Sequence, residues 1–271
     1  MTDPPSPVRW TLRIVTAAYL LLLVAWPVSL VAKNAFENGT SDVEAILNDP
    51  DTAHALRLTV VIAVISVVIN TVFGIGISML LVRYRFPGRR TLSALVDLPM
   101  SVSPVVVGLA LVLVYGGRTG WFGPFLEDHG IQIIFSTPGM VMATVFVALP
   151  LVIREVVPVL EEIGMEQEQA ARSLGAGPWA TFRRITFPSI RWAVIYGVVL
   201  SLARSLGEFG AVKVVSGNIL GETRTASLVV EEKYLNFDKP GAYATAFLLT
   251  IVAVACITVV TFIRPRDHQR R

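Results

Sequence analysis

Long apolar segments alternate with shorter polar segments along almost the whole chain. Six of the apolar segments approach the roughly 20 residues that a helix needs to cross a bilayer. They lie at residues 14–32, 56–82, 95–115, 137–157, 192–215 and 242–263. None of them shows the strict alternation of a membrane β-barrel strand. The pattern predicts an all-α integral membrane protein with six transmembrane helices in a single transmembrane domain, residues 14–263.

The composition agrees with this pattern and narrows the chemistry. Of the 271 residues, 54% are hydrophobic and 16% are charged, whereas a soluble domain carries about 25% charged residues. Cys256 is the single cysteine, which excludes a disulfide within the chain and a thiolate metal cluster. The histidines, at positions 54, 129 and 268, lie far apart. We therefore expect no metal site and no cofactor in this chain.

Basic residues are concentrated in alternate polar segments. The tails 1–13 and 264–271, the turn 83–90 and the segment 154–191 contain fifteen arginines, whereas the other polar segments contain six basic residues. Cytoplasmic loops carry the excess of basic residues in membrane proteins. We therefore predict that both termini are cytoplasmic, in a multi-pass protein of a bacterial plasma (inner) membrane. The same clustering attributes the net charge of +3 to orientation in the membrane and not to nucleic-acid binding.

The first apolar segment shares one feature with a secretory signal, because Arg9 and Arg13 precede it. It is longer than the apolar part of such a signal, and Trp26-Pro27 interrupts it where cleavage signals are usually small and simple. We expect this segment to be retained as the first span.

The longest predicted cytoplasmic connection, residues 158–191, contains two short helical patterns. Gly175 suits the left-handed position that ends the first helix, and Pro178 suits the first turn of the second. Pro188 is expected to break the second helix before the fifth span. The pattern predicts a short, sharply bent helical knob held between two membrane helices. The alternative is an amphipathic loop that lies on the lipid surface with its arginines toward the headgroups.

Three charged residues lie within or beside the fifth apolar segment, where an unpaired charge is costly. Arg204 and Glu208 are four residues apart and can pair on one face of a helix. The pair can hold the fifth span to its neighbours. Alternatively, Arg204 or Lys213 tempers the electric field along a polar route through the membrane.

The third apolar segment contains helix-breaking and hydroxyl residues. Pro104 frees backbone groups, and such breaks are tolerated where they line protein or a water-filled cavity. Ser101 and Ser103 then offer hydroxyl donors to a translocation path, or they bond back to the helix in a packed kink. Asp97 is expected to be a cap or an ion-pair partner, since a carboxylate would repel an anionic substrate.

Catalytic chemistry is not indicated in this chain. It contains no G-x-x-x-x-G-K-[ST] run, so it cannot hold ATP phosphates itself. If ATP drives a process in this membrane protein, another subunit must bind that ATP. No serine lies in a G-x-S-x-G elbow, and no set of nucleophile, base and acid is evident. A membrane-embedded enzyme and a carrier driven by an ion gradient are less favoured alternatives. Such a carrier usually has more spans or an internal repeat.

The predicted knob resembles the EAA loop of ABC transporter permeases. That pattern is Glu-Ala-Ala, three residues, Gly, nine residues, Ile, one residue and Leu-Pro. Gln169 replaces the family's Glu, Phe187 replaces its Leu, and Glu168 stands one position early. The resemblance implies a coupling helix that docks into a cleft on an ATP-binding subunit, which binds ATP-Mg. The implied ATPase-coupling residues are Glu168, Gln169, Ala170, Ala171, Gly175, Ile185 and Pro188.

Two further stretches resemble permeases for tetrahedral oxyanions. Residues 97–108, followed by Tyr115-Gly116, are similar to the third span of sulfate permeases of the CysW type. Residues 204–212, with 215–218 and 221–223, are similar to the fifth span of sulfate and molybdate permeases. The resemblance covers residues 55–265 and implies a type I ABC importer permease fold. The implied candidates for the translocation path or gate are Ser101, Ser103, Pro104, Arg204, Glu208 and Lys213, together with residues 207–210.

The resemblance also implies the cargo and the partners. The cargo is sulfate, and thiosulfate with it, and the alternative is a molybdate or tungstate permease, which often forms a homodimer. The implied assembly contains a second homologous permease subunit in a heterodimer, two copies of an ATP-binding subunit and an extracytoplasmic sulfate-binding protein, all within or beside membrane lipid.

Overall fold

The computed structural model describes residues 7–117 and 119–262. Within these ranges every regular element is a helix, so the predicted all-α class is confirmed. The helices are α1 Pro7–Leu20, α2 Trp26–Ala35, α3 Ser41–Asn48, α4 Pro50–Arg83, α5 Arg89–Ser101, α6 Pro104–Tyr115, α7 Gly123–Asp128, α8 Thr137–Ile163, α9 Glu166–Ser173, α10 Pro178–Thr181, α11 Phe187–Leu206, α12 Gly210–Ser216, α13 Ala226–Leu235 and α14 Lys239–Phe262. Two π turns, Leu21–Ala25 and Phe182–Thr186, join α1 to α2 and α10 to α11.

Five continuous helical segments are long and apolar enough to cross a bilayer within the described ranges. They are Trp10–Ala35, Pro50–Arg83, Thr137–Ile163, Pro178–Leu206 and Lys239–Val260. A bent pair, α5 and α6, makes a sixth if the pair is counted as one span. The chain is therefore a multi-pass membrane protein.

The third predicted span, residues 95–115, is interrupted, as its prolines and serines predicted. It consists of α5 and α6, whose axes are bent by 114° at Val102-Ser103. Pro104 has no amide hydrogen to donate, and its ring disfavours a helical conformation of the residue before it. Ser103 accordingly has an extended backbone, with ψ of 134°. The prolines and serines noted in the sequence mark a true break in the helix.

The fifth predicted span, residues 192–215, needs correction. Helix α11 ends at Leu206, residues 207–209 leave the helix, and α12 follows as a separate element. The sequence predicted that Pro188 breaks the helix, and this prediction is wrong. Helix α10, the π turn and α11 are continuous through Pro188. The π turn widens the helix just before Pro188, where the proline ring would otherwise meet a carbonyl of the preceding turn.

The remaining bounds differ by less. Helix α8 continues to Ile163, so the polar connection starts at Gly164 and not at residue 158. The first helix starts at Pro7, so part of the predicted tail 1–13 is helical. Helix α14 begins at Lys239 and is described to Phe262. Residues 1–6 and the predicted tail 264–271 lie outside the described residues.

The core lies between α4, α8 and α11. Gly74 of α4 and Gly197 of α11 both face Val152 of α8 so closely that a Cβ atom built on either would lie 2.7–2.9 Å from it. Small residues permit this approach of helix backbones in membrane proteins. Around Val152, the side chains of Val156, Leu160 and Ile190 are fully buried. The long helices α4 and α8 therefore form the central frame of the molecule, against which the shorter helices pack.

Candidate functional site: the helical knob and the paired helix breaks

The polar connection folds as a bent helical knob, which we define as residues 164–181. Gly164 ends α8 with φ of +68°, and Gly175 ends α9 with φ of +87°. Ala176 N donates to Ala171 O at 3.0 Å, and Gly175 N donates to Arg172 O at 2.9 Å. These two bonds form a Schellman motif, which requires the left-handed conformation that glycine adopts without a Cβ penalty. The predicted role of Gly175 in the turn is confirmed.

The tip of the knob exposes two large apolar side chains. Leu174 is 89% exposed and Trp179 is 71% exposed. Trp179 stacks on Phe182, with ring centroids 5.7 Å apart, so the indole is held on the continuous helix. Exposed apolar groups on a polar segment are typical of a protein interaction surface.

The predicted coupling residues occupy different sides of the knob. Gln169, Ala170, Gly175 and Pro188 are exposed, and Ala171 and Ile185 are half-buried. Glu168, in contrast, is buried. Among these seven residues, Glu168 alone is therefore buried.

Glu168 faces inward and joins the knob to α4. Its Oε1 atom lies 3.1 Å from Arg83 Nε and accepts a hydrogen bond of 2.9 Å from Thr186 Oγ1. Arg83 also donates from Nη1 to Leu160 O at 3.0 Å. The sequence analysis missed Arg83 and Thr186, since Arg83 had been counted only as one of the basic residues of the turn 83–90. No spacing rule links residues 85 positions apart.

The two predicted gate regions lie against each other. A Cβ atom on Gly210 would lie 3.1 Å from Pro104 Cβ, and one on Gly108 would lie 2.8 Å from Val214 Cβ and 2.9 Å from Ala211 O. Helices α6 and α12 therefore pack backbone to backbone just beyond the breaks at Val102-Ser103 and 207–209, which we call the paired breaks.

The carboxylate of Glu208 stabilises the second break. Its Oε1 atom accepts a hydrogen bond of 2.9 Å from Ala211 N at the start of α12. Its Oε2 atom lies 2.6 Å from Arg204 Nη1, a close ion pair although the N–H is not aligned for a hydrogen bond. The predicted pairing of Arg204 with Glu208 is confirmed. Because the Glu208 side chain is buried, this pairing offsets the cost of removing its charge from water.

The other predicted path residues have different partners. Lys213 pairs with Glu231 of α13, and its Nζ lies 5.3 Å from the centroid of the Phe209 ring. Ser101 Oγ donates to Leu98 O at 2.9 Å, which confirms the interpretation that it bonds back to its own helix. Ser103 is exposed at the start of α6.

Asp97 forms the ion pair that the sequence predicted for it. Its Oδ1 atom accepts a hydrogen bond of 3.0 Å from Arg154 Nε, which joins α5 to α8. The arrangement places this carboxylate in a helix contact and not in a substrate site.

A buried polar seam between α4 and α11 had no counterpart in the sequence analysis. Asn70 Nδ2 donates to Ser201 Oγ at 3.4 Å. Ser66 Oγ and Ser205 Oγ, one turn away on each helix, are buried without a hydrogen-bond partner among the described residues. The sequence offered one signal, Asn70 within an apolar segment, but its partners come from a helix about 130 residues later.

Comparisons with known proteins agree with this arrangement. Residues 71–266 match the family described as binding-protein-dependent transport system inner membrane component. The chain is 47% identical over 264 residues to the sulfate transport system permease protein CysW of Synechocystis, covering 97% of this chain and 95% of that one. It is 34% identical to the sulfate transport system permease protein CysT of Salmonella typhimurium, covering 93% and 91% of the two chains.

A solved structure shares the fold. A chain in the crystal structure of a bacterial alginate ABC transporter, in complex with an alginate pentasaccharide-bound periplasmic protein, superposes with a TM-score of 0.80 at 17% identity. The superposition covers 96% of this chain and 94% of that one.

Proposed function

Since this chain belongs to the family of inner membrane components of binding-protein-dependent transport systems, we propose that it is the membrane-spanning permease subunit of an ATP-driven importer of sulfate. The observation that carries the proposal is the knob, a bent helical element between two apolar helices with Leu174 and Trp179 exposed at its tip. A membrane path alone does not need such an element, whereas a subunit driven by a soluble ATPase does.

Sulfate is the proposed cargo because the similar proteins are named for it. The CysW and CysT relatives are sulfate transport system permease proteins, and their likeness extends over nearly the whole chain. This favours sulfate over the molybdate or tungstate alternative. Thiosulfate, a tetrahedral dianion of similar size, is proposed as a second cargo of the same path.

The proposed complex contains four kinds of component. Relatives of this chain carry two different permease names, CysW and CysT, which supports a heterodimer with a second homologous permease. Two copies of an ATP-binding subunit are proposed to dock on the two knobs and to bind ATP-Mg. An extracytoplasmic sulfate-binding protein is proposed to deliver the anion, and lipid surrounds the apolar helices.

We place both termini and the knob in the cytoplasm. Arg83 of the basic turn contacts Glu168 of the knob, so the arginine-rich turn 83–90 and the knob lie at the same end of the molecule. Basic residues favour the cytoplasmic side. The helix α4 then leads from Asp49 at the outer end to Arg83 at the inner end.

We infer alternating access as the mechanism. ATP binding brings the two ATP-binding subunits together, and their clefts carry the knobs with them. The spans then open outward, and hydrolysis returns them. Direction requires that the loaded binding protein interact differently with the two states of the permease. The paired breaks are the proposed gate, because α6 and α12 can move there relative to the frame of α4 and α8.

The two basic residues beside the paired breaks are placed so that a dianion can pass them without binding tightly. Arg204 is paired with Glu208, and Lys213 with Glu231, so neither cation is free to bind sulfate tightly. Transit requires sites weak enough for the ion to leave. We propose that Arg204, which is partly exposed, offsets the negative field along the path without forming a tight site.

Uptake of labelled sulfate tests the proposal in cells that lack this subunit, with and without the subunit restored. We expect uptake only when it is restored, with little inhibition by excess molybdate. Trp179→Ala should lower both uptake and binding of the ATP-binding subunit at least tenfold. Trp121→Ala, which removes an indole that is 85% exposed in the loop between α6 and α7, is the control. Sulfate uptake that is the same without the subunit would exclude the assignment.

A further inference from the structure

The buried junction formed by Arg83, Glu168 and Thr186 lies on the inner side of the knob. The side chains of Arg83 and Glu168 are each only 6% exposed. Oε1 of Glu168 receives both the guanidinium and the Thr186 hydroxyl, and the second arm of the guanidinium reaches Leu160 O. Four elements therefore meet at this junction: α9 and the π turn Phe182–Thr186 through the Glu168 carboxylate, and α4 and α8 through the Arg83 guanidinium.

This junction lies on the buried face of α9, whereas two neighbouring residues of the motif are exposed. Gln169 and Ala170 are exposed, whereas Glu168 is buried against the membrane helices. Docking of a partner and attachment to the membrane domain are thus assigned to different faces of a helix of eight residues. Glu168 cannot reach a docked subunit without leaving its partners.

Arg83 is the last residue of α4, which is the longest helix among the described residues. Its 34 residues extend for roughly 50 Å at the α-helical rise. At its outer part, Thr59 Oγ1 accepts a hydrogen bond of 3.0 Å from Ala226 N at the start of α13. The same helix is therefore bonded to the knob at its last residue and to α13 at Thr59, its tenth residue.

The Arg83 guanidinium donates from Nε to Glu168 and from Nη1 to Leu160 O. In a water-poor site it holds these two partners in a narrow range of geometry, because its donors are fixed in one plane. A buried ion pair often adds no more to the folding free energy than apolar residues in its place would. Its contribution here is to fix one arrangement of the groups that it joins. The junction is suited to making the knob and α4 move together.

We propose that Arg83 and Glu168 are positioning residues that transmit movement of the knob to α4, and through α4 to the outer end of the permease. This inference rests on the proposed function, because it assumes that an ATP-binding subunit moves the knob. It assigns Glu168 to transmission within the chain and leaves docking to the exposed face with Leu174 and Trp179.

The test uses the whole complex, reconstituted in proteoliposomes with its ATP-binding subunit and sulfate-binding protein. The variants are Glu168→Gln, Arg83→Gln and the double variant. Glu162→Gln, an exposed carboxylate near the end of α8 and outside the knob, is the matched control. Three quantities are measured: sulfate transported per ATP hydrolysed, affinity for the ATP-binding subunit, and the midpoint of thermal unfolding.

Each single variant leaves a buried charge unpaired and should lower the unfolding midpoint. The double variant removes both charges, so its midpoint should return toward that of the wild type. Sulfate transported per ATP should nevertheless stay at least fivefold lower in the double variant, because the link is still missing. The affinity for the ATP-binding subunit should remain within twofold, and Glu162→Gln should match the wild type.

The outcomes separate the competing explanations. If the double variant recovers transport per ATP together with its unfolding midpoint, the junction serves stability alone and the proposal is overturned. Transport per ATP that falls only in proportion to lost affinity for the ATP-binding subunit would overturn it as well, by making Glu168 a docking residue. If the wild-type complex itself couples no sulfate transport to ATP hydrolysis, it is the proposed function that fails.

Discussion

At the residue scale, two glycines of α4 show that the same residue type serves different purposes two positions apart. Gly74 lies against Val152, and a Cβ atom there would be 2.7 Å from Val152 Cγ1. Gly76 has open space around its missing side chain, with no described heavy atom within 4 Å of a built Cβ. Sequence alone treats both as small residues that permit close helix packing.

The two alanine substitutions should therefore have opposite effects. Gly74→Ala should lower stability by about 1–3 kcal/mol, because the extra carbon forces α4 away from α8. Gly76→Ala should raise it by up to about 1 kcal/mol, because alanine has the higher helix propensity. Unfolding of the purified protein in detergent measures both. Equal losses at the two positions would contradict the close contact at Gly74.

Asp49 caps the N-terminus of α4 and makes the cap sensitive to pH. The hydrogen bond from the Thr52 hydroxyl, at 2.6 Å, is the main cause that holds the pKa of the Asp49 carboxyl below its ordinary value. A carboxyl with a lowered pKa in the folded state contributes stability that is present above its ordinary pKa of 3.8. That contribution is lost as the pH falls through the folded-state value.

Asp49→Ala should cost about 0.5–2 kcal/mol at neutral pH, as other helix caps do. The difference in unfolding free energy between wild type and variant should be constant from neutral pH to about pH 5 and should shrink below the ordinary pKa. Unfolding curves at a series of pH values in detergent measure this. A difference that persists unchanged at the lowest pH would show that the carboxylate charge plays no part in the cap.

At the scale of elements, the paired breaks separate the short helices α6 and α12 from α5 and α11 and allow α6 and α12 to pack against each other. Pro104 separates α6 from α5, and the Glu208 carboxylate replaces a helix bond at the start of α12. The two short helices then meet where Gly108 faces Ala211 and Val214. Because the breaks separate α6 and α12 from the longer helices, the gate that we propose can move without any long helix unfolding.

Gly108→Val tests whether this contact matters for transport. The branched side chain cannot fit against the Ala211 carbonyl, so we expect sulfate uptake to fall at least tenfold while affinity for the ATP-binding subunit is unchanged. Gly76→Val, which points into open space, is the matched control. Normal uptake by the Gly108 variant would exclude α6 and α12 from the gate.

At the scale of the whole molecule, the two ends differ in chemistry. The end that we propose to be cytoplasmic carries the knob and the turn 83–90, which is rich in arginine, whereas the other end contains the acidic segment of α3. Helix α4 connects these ends, since Asp49 precedes it and Arg83 ends it. The orientation of one end therefore sets that of the other.

Labelling of single cysteines tests this orientation. In a Cys256→Ser background, an impermeant maleimide should label Ser41→Cys in intact spheroplasts. Ser173→Cys, on the knob, should be labelled only after the membrane is permeabilised. Both serines are exposed in the structure, so accessibility within the fold does not differ. The reverse pattern would invert the proposed topology.

Much of the candidate site could be read from local sequence because its elements depend on neighbouring residues. Gly175 and Pro178 marked the turn of the knob through their own backbone preferences, and the i, i+4 spacing marked the pair of Arg204 and Glu208. Pro188 misled the same reasoning, because its effect depends on the π turn that precedes it. The expectation that proline breaks a helix holds for a regular α-helix, and it does not hold where a π turn precedes the proline.

The sequence by itself determined the helical class, the apolar segments, the position of the knob and the uneven distribution of arginines, since each depends on residues close together in the chain. Only the tertiary structure decided that Glu168 meets Arg83, that Asn70 meets Ser201 and that Gly108 meets Val214. The physical reason is that a membrane helix is apolar toward lipid and toward its neighbours alike. Its hydrophobic pattern therefore does not mark which face is buried.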